Sequence, residues 1–384
     1  MSASRIYLDN AATSWPKPEE VYAAVDRCQR ELGCAFGRGS TRVGLELQQT
    51  VDRCRAQCAL LLGVPKPEQV IFTFNGTDSL NLALYGLLRT GDRVITTPWE
   101  HNSVLRPLKH LQSQGVTTHF LSPTDSGSID LTEHQEALET STRLVVLTHA
   151  SNVTGIIQPI AEAIQLAHSV GAKVLIDAAQ TAGHLPINFR ELGADMLACP
   201  GHKGLLGLLG TGLLLLSPEM AAELKPCRQG GTGTRSELED QPEELPAKFE
   251  SGNHNAPGLV GLGAAVEWLG TRGIGEVHRH EQSLIERLDA GLRELPGIEV
   301  VGNGERIGVI SVSLKRMEPQ VLATLLDDHF HIETRAGLHC APRAHRALGT
   351  DVLGGTVRFS VGPFTTPDEI ERTLEAMGQI VIAM

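Results

Sequence analysis

The sequence predicts an α/β protein: a large, mostly parallel sheet between helices, followed by a smaller α+β unit. Three observations predict it. Short, near-continuously apolar runs alternate with amphipathic stretches, the pattern of a parallel sheet covered on both faces. From about Pro257 the pattern changes to long helical stretches followed by strands. A length of 384 residues leaves room for two or three domains of roughly 150 residues each. We therefore expect an N-terminal segment over residues 1–15 that packs with the small domain. A large domain is expected over 16–260 and the small one over 261–384.

The elements follow in order. Residues 70–74 (Val-Ile-Phe-Thr-Phe) read as a buried strand, with a helix over 78–88. A strand over 93–97 and a helix over 103–114 come next, then strands over 144–148 and 173–177 around a helix near 161–169. Residues 194–199 form another apolar run. The greasiest stretch, 205–216, is broken by Gly207, Gly210 and Gly212. It is a core segment, since a membrane span needs about 20 residues. Helices over 259–269 and 275–295 lead to strands over 298–301, 307–314 and 356–361. Thr366-Pro367-Asp368-Glu369 starts the final helix: a cap, a proline in the first turn, then acid against the dipole. The acidic stretch 237–244 reads as a surface loop. There is no internal repeat and no low-complexity tract.

Composition narrows the function. The formal charge of −12 argues against nucleic acid or an anionic membrane as the main partner. The start lacks the apolar core of a signal peptide, and seven scattered cysteines suit a reducing cytosol better than a disulfide framework. A cytoplasmic protein is the expectation. No Gly-x-Gly-x-x-Gly follows a strand and there is no P-loop, which removes the main support for a nucleotide site.

The chemistry concentrates at strand ends. Asp177 closes one apolar run, and Lys203 in Gly201-His202-Lys203-Gly204 follows the next. Pyridoxal phosphate (PLP) needs such a pair: a lysine for its aldehyde and a carboxylate for its pyridine nitrogen. A loop lysine is otherwise a solvated charge, but burial here would lower its pKa and make it a nucleophile and base. Asn75-Gly76-Thr77-Asp78 is either a phosphate-binding helix start or an ordinary strand–turn–helix link. His101 is a stacking or proton-shuttling imidazole, or a turn histidine facing solvent. Asn152 is a partner for the cofactor's phenolic oxygen or a plain turn asparagine. These positions gain weight together, because strand ends on one side of such a sheet converge on one crevice. In Arg335-Ala336-Gly337-Leu338-His339-Cys340, Cys340 is either a thiolate nucleophile near positive charge or a free loop thiol. Arg358, in an apolar strand, is a candidate clamp for a substrate carboxylate. Cys54 and Cys58 lack partners at zinc spacing and read as core packing, so no metal is expected.

These motifs resemble, nearly end to end, the cysteine desulfurase and selenocysteine lyase family among the class V, fold type I PLP enzymes. The likeness is carried by Tyr7-Leu8-Asp9-Asn10-Ala11-Ala12-Thr13, Asn75-Gly76-Thr77, Glu100-His101, Ser151-Asn152-Val153-Thr154-Gly155, Asp177-Ala178-Ala179-Gln180, Gly201-His202-Lys203, Phe249-Glu250-Ser251-Gly252 and the Arg335 to Cys340 motif. The resemblance implies a seven-stranded sheet in the large domain and a small domain carrying the nucleophilic cysteine. It implies that Lys203 holds the aldehyde, Asp177 pairs the pyridine nitrogen and His101 stacks on the ring. Gln180 and Asn152 would face the ring hydroxyl, and Gly76, Thr77 and His202 the phosphate. Arg358, with Asn152 and Arg335, would hold the substrate carboxylate. Cys340 would take sulfur from L-cysteine as a persulfide, release alanine, and pass the sulfur to a thiol or acceptor protein. It also implies a homodimer, and iron–sulfur cluster assembly as one pathway served. Pro200 stands where the family often has serine, Thr41 where it often has histidine, and Asn253 where a partner-subunit threonine usually donates to the phosphate. Two other readings share these residues: a selenocysteine lyase, and an inactive scaffold that keeps the fold.

Overall fold

The computed structural model of the chain describes residues 5–35, 37, 41–124, 126–235, 237 and 239–383. Arg38, Gly39 and Ser40, just before Thr41, and Leu238 in the acidic stretch, lie outside the described residues. The chain opens with β1 (Ile6–Tyr7), α1 (Glu19–Glu31) and α2 (Arg42–Leu61). Then come β2 (Val70–Thr73), α3 (Gly76–Leu87), β3 (Arg93–Thr96), α4 (Asn102–Gln112), β4 (Thr117–Phe120) and α5 (Leu131–Leu138). Next are β5 (Leu144–Thr148), α6 (Ile160–Ser169), β6 (Lys173–Asp177), α7 (Phe189–Leu192), β7 (Met196–Pro200), β8 (Gly212–Leu216) and α8 (Pro218–Glu223). The last third holds α9 (Ala256–Arg272), α10 (Ile274–Glu294), β9 (Ile298–Val300), β10 (Val309–Leu314) and α11 (Pro319–Phe330). It ends with β11 (Ile332–Glu333), β12 (Arg335–Gly337), α12 (Pro342–Ala347), β13 (Thr356–Ser360) and α13 (Pro367–Ile382).

Seven strands form the large sheet, in the order β2-β8-β7-β6-β5-β3-β4. Only β8 runs against its neighbours. It returns from β7 through a glycine-rich turn with no crossover helix, so it must come back antiparallel. β8 is the second half of the greasy stretch. The inner strands are buried on both faces: Val145 and Ile95 pack with α2 and α6, Val146 and Val94 with α3 and α4. Near-continuous apolar strands follow from that double burial. Cys54 and Cys58 belong to the first of these cores.

The second sheet, β12-β13-β10-β9, is antiparallel and covered by α10, α11 and α13. The N-terminal strand β1 pairs in parallel with β11, and Asp9 bridges to Ser360 at the end of β13. The expected break at residue 260 falls inside α9, which packs on α1 and α2 beside the large sheet. Gly261 and Gly263 let it approach Val25 and Cys54 closely, which holds the whole helix on that side. Helix α3 begins two residues before the expected 78, because the Asn75 side chain accepts the Asp78 N–H at 2.9 Å and caps it.

Candidate active site

The carboxyl ends of β2, β3, β5, β6 and β7 open on one side of the sheet, and the turns after them enclose a cavity of about 220 Å³. Gly76, Thr77, His101, Asn152, Asp177, Gln180, His202, Lys203 and Arg335 all line it. Asp177 is buried, with Oδ1 accepting the Ala179 N–H at 2.9 Å. Burial pushes its pKa up; the Ala179 N–H and the charge of Lys203 oppose the rise. Lys203 is lowered to about 8, by burial first and then by Arg358. At that value a neutral amine is available near pH 8.

His101 caps α4: its Nδ1 accepts the Ser103 N–H at 3.1 Å and lies 2.6 Å from Ser103 Oγ. That places the ring proton on Nε2. Burial, then Lys203 and the nearby arginines, lower its pKa to about 4, so the ring is neutral. His202 is likewise lowered to about 4 by burial and by Lys203 and Lys17, and its Nδ1 lies 3.1 Å from Thr13 Oγ1. Gln180 is fixed by a bond from Nε2 to the Ala11 carbonyl.

Three expected residues sit elsewhere. Arg358 is fully buried behind the cavity, where Nη2 meets Asp9 Oδ1 at 2.6 Å and Nη1 donates to the Asn152 carbonyl at 3.1 Å. Two of its nitrogens are thus committed, and Nε alone lacks a partner among the described residues. Arg335 is the arginine that lines the cavity. Asn253 is exposed on a loop outside this cavity. Glu250, just before it, is anchored by a buried two-pronged pair with Arg55 and by the Phe72 N–H. Cys340 opens on a second, outer cavity of about 320 Å³, which shares Thr77, His101 and Ser103 with the first. Its Sγ lies 3.6 Å from Arg335 Nη2.

The structure gives a place in the site to residues that sequence reasoning left without a role. Glu100 is buried beneath the cavity, accepting the Thr148 N–H and the Thr97 hydroxyl. Burial raises its pKa to about 8. Lys17 and Ser14 clasp the lysine turn: Lys17 Nζ and Ser14 Oγ reach the His202 carbonyl at 2.9 and 3.1 Å. Burial lowers Lys17 to about 7. The only sequence signal was a lysine set between Pro16 and Pro18, just ahead of Glu19 and Glu20.

Residues 6–373 match the aminotransferase class-V family. The chain belongs to that family. Among its members it is 35% identical to a probable cysteine desulfurase of Methanothermobacter thermautotrophicus, over 98% of this chain and 94% of the relative. It is 31% identical to a cysteine desulfurase of Dickeya dadantii, over 97% and 91%. The apo structure of a cysteine desulfurase from Thermococcus onnurineus superposes with a TM-score of 0.91 at 33% identity, over 99% of this chain and 95% of that one. A cysteine desulfurase of Escherichia coli, crystallised as its S-sulfonic acid, gives 0.90 at 29% identity, with the same coverage. The class-V chain thus has the fold type I architecture.

PLP, expected from the sequence, fits the residues present. Asp177 is a buried carboxyl beside which a protonated ring nitrogen would replace lost hydration. Lys203 is a half-buried residue that lines the cavity, with no carboxylate bonded to its amine among the described residues. The N-terminus of α3 at Gly76 and Thr77 faces the same cavity, where a helix start suits a phosphate. Pro200 packs 3.2 Å from where a Cβ on Gly76 would stand, so a side chain there would press on the cavity floor.

Proposed function

We propose that this chain is a PLP-dependent cysteine desulfurase. One observation carries the reading: half-buried Lys203 and buried Asp177 share a cavity whose outer extension holds Cys340 beside Arg335. Lys203 would hold the cofactor and Asp177 the proton of its ring nitrogen. The Gly76 and Thr77 amides and His202 would bind the phosphate, neutral His101 would cover the ring, and Gln180 and Asn152 would face its hydroxyl. When bound, PLP supplies a sink for the electron pair left at the substrate's α-carbon. Lys203, as the free amine, takes the α-proton. Arg335 receives the substrate carboxylate, with Arg358 and Asn152 behind it. Cys340 Sγ, as thiolate, attacks the sulfur of L-cysteine: the S–S bond of a persulfide forms as the substrate's C–S bond breaks, its electron pair stays with the β-carbon, that carbon takes up a proton, and alanine leaves.

Asn253 would serve the phosphate of a second subunit, which supports a homodimer. We assign residues 1–15 to the small domain and place the division near Gly273, supported by the packing of α9. A reducing cytosol suits the seven free cysteines, and no helix among the described residues is long and apolar enough to cross a membrane. Iron–sulfur cluster assembly is one consumer of the sulfur.

A selenocysteine lyase reading is favoured by one feature: Cys340 lines the outer cavity and not the inner one. The test measures alanine from L-cysteine with PLP-loaded protein and a reducing thiol. Alanine is expected, and Cys340→Ser should abolish it. Undiminished turnover in that variant would overturn the desulfurase mechanism, and alanine from selenocysteine alone would favour the lyase. A protein that takes up no PLP would be a scaffold.

A further inference from the structure

The outer cavity, at about 320 Å³, is larger than the inner one at about 220 Å³. It is built from the face of α3, at Asn81 and Tyr85, and the first turns of α4, at Asn102, Ser103 and Arg106, with Cys340 closing one end. The Asn102 N–H donates to the Cys340 carbonyl at 2.7 Å, so the α4 start fixes where the thiol stands. No carboxylate lines this space among the described residues. Asp78, the acid on the first turn of α3, faces Arg228 at 3.2 Å, and its Oδ2 accepts the Phe74 N–H at 3.0 Å. Arg106 is exposed and has no hydrogen-bond or ion-pair partner among the described residues. With Arg335 beside the sulfur, the chamber carries two guanidinium groups together with amide and hydroxyl groups, set against the apolar surface of Tyr85 and Pro107.

We infer that this chamber is the acceptor subsite and that it takes a thiol carrying a carboxylate beside the sulfur. The inference rests on the desulfurase reading above. The acceptor enters between Tyr85 and Arg106, its carboxylate on the Arg106 guanidinium and its thiol toward Cys340. As thiolate, it attacks the outer sulfur of the Cys340 persulfide. A new S–S bond forms on the acceptor while the bond to Cys340 Sγ breaks, and its electron pair goes to Sγ. The proton given up by the acceptor thiol ends on Sγ, so no external oxidant or reductant enters. The amino-acid substrate and the acceptor then occupy different chambers, joined at Thr77, His101 and Ser103.

The test uses PLP-loaded full-length protein, charged by a single turnover with L-cysteine. Discharge is followed by mass spectrometry of the Cys340 persulfide, with 3-mercaptopropionate against neutral 2-mercaptoethanol. A second pair is a short peptide with cysteine between aspartates against one with asparagines. Each anionic-to-neutral ratio is compared between the parent, Arg106→Gln and Arg106→Glu, which cancels the thiols' own reactivity. The expected result is a ratio about two- to fivefold higher in the parent than in Arg106→Gln, the worth of one exposed ion pair. It should fall further in Arg106→Glu and vanish at high salt. A shift seen with the small pair assigns a free thiol acid; a shift with the peptide pair alone assigns a protein cysteine with acidic neighbours. A ratio that Arg106 variants leave unchanged in both pairs overturns the subsite. Absence of alanine and persulfide in the charging step would instead overturn the desulfurase reading beneath it.

Discussion

The lysine turn and the cysteine turn meet at the same cavities but are held in opposite ways. The turn carrying Lys203 follows a central strand, and the N-terminal segment clasps it from outside. Thr13 Oγ1, Ser14 N, Ser14 Oγ and Lys17 Nζ all donate to the His202 carbonyl, and Ser14 Oγ also reaches the Lys203 carbonyl at 2.9 Å. The turn carrying Cys340 comes from the smaller sheet and is strained. His339 and Cys340 both have positive φ, 49° and 59°. Such conformations cost on the order of 1–3 kcal/mol each and persist only when the surroundings enforce them. The turn closes on its own Ala341 N–H to the Leu338 carbonyl at 2.8 Å, and from outside it is held by the Asn102 N–H to the Cys340 carbonyl and Asn152 Nδ2 to the His339 carbonyl, each 2.7 Å, with His339 Nε2 3.0 Å from Thr356 Oγ1. Redundant clasping suits a base that must stay put. A strained turn suits a nucleophile that must reach from one chamber into the other.

The largest expected effect separates the two turns chemically. Lys203→Ala should cut alanine formation from both cysteine and selenocysteine by roughly 10²–10⁴-fold, the scale of a lost acid–base group. Cys340→Ser should abolish it from cysteine and spare selenocysteine, whose selenium leaves without a thiol's attack. Parallel alanine assays decide; equal loss on both substrates for Cys340→Ser would erase the division of labour.

The halves should also answer pH in opposite directions. Glu100 beneath the lysine side is raised from 4.5 to about 8, so in that window the folded chain keeps a proton that the unfolded chain has lost. Its contribution is full below 4.5 and is lost as pH rises through about 8. His339 on the cysteine side is held well below 6.5, by burial first and then by Arg358. Its contribution is full above 6.5 and is lost as pH falls below that. Glu100→Gln should therefore gain on the parent at about pH 9 relative to about pH 6, by up to several kcal/mol at ~1.4 per pH unit. His339→Asn, which tolerates the positive φ, should gain on the parent below about pH 6. Urea unfolding across pH measures both, and parallel curves for parent and variants would refute the contrast.

Asn152→Ala should come next. It leaves the buried His339 carbonyl without its donor, at a cost of about 1–3 kcal/mol. Loosening the cysteine turn should slow persulfide formation roughly tenfold to a hundredfold, since small misplacements of a reacting atom are expensive. Cofactor should still bind through Lys203 and Asp177, with its absorbance shifted if Asn152 also faces the ring hydroxyl. A variant with full persulfide yield would show that the remaining bonds from Asn102, Thr356 and the turn itself suffice.

Legibility follows the same division. The sheet side could be read because its residues sit at the ends of apolar runs: Asp177 and Lys203 stand where β6 and β7 stop, and parallel strand ends must converge. β8 was read only as core, since alternation says nothing about direction and its antiparallel return depends on the short link from β7. The outer chamber was not legible. Arg106 lies on a helix face with ordinary spacing, and nothing local says that Cys340 will be carried to it from a strand 230 residues on. The commitment of Arg358 to Asp9 was hidden for the same reason: that pair spans nearly the whole chain. Glu100 was visible as a letter, but its burial depends on three strands closing over it.

The smallest expected effect tests redundancy itself. Ser14→Ala removes the hydroxyl that reaches the His202 and Lys203 carbonyls, yet Thr13 Oγ1, the Ser14 N–H and Lys17 Nζ remain on the first of them. The loss should be about 0.5–1.5 kcal/mol of stability, the net worth of a hydrogen bond. Cofactor retention and alanine formation should barely change. Lys17 is the harder partner to lose it from, because Ser14 Oγ is one of the two acceptors its Nζ has, at 2.6 Å, and burial already lowers that amine to about 7. If the clasp works as a unit, Lys17→Met should cost much less in the Ser14→Ala background than in the parent, because the hydroxyl no longer supports the charge. Additive costs in that double-mutant cycle would mean that the two side chains act independently, and that the lysine turn is stiff without its clasp.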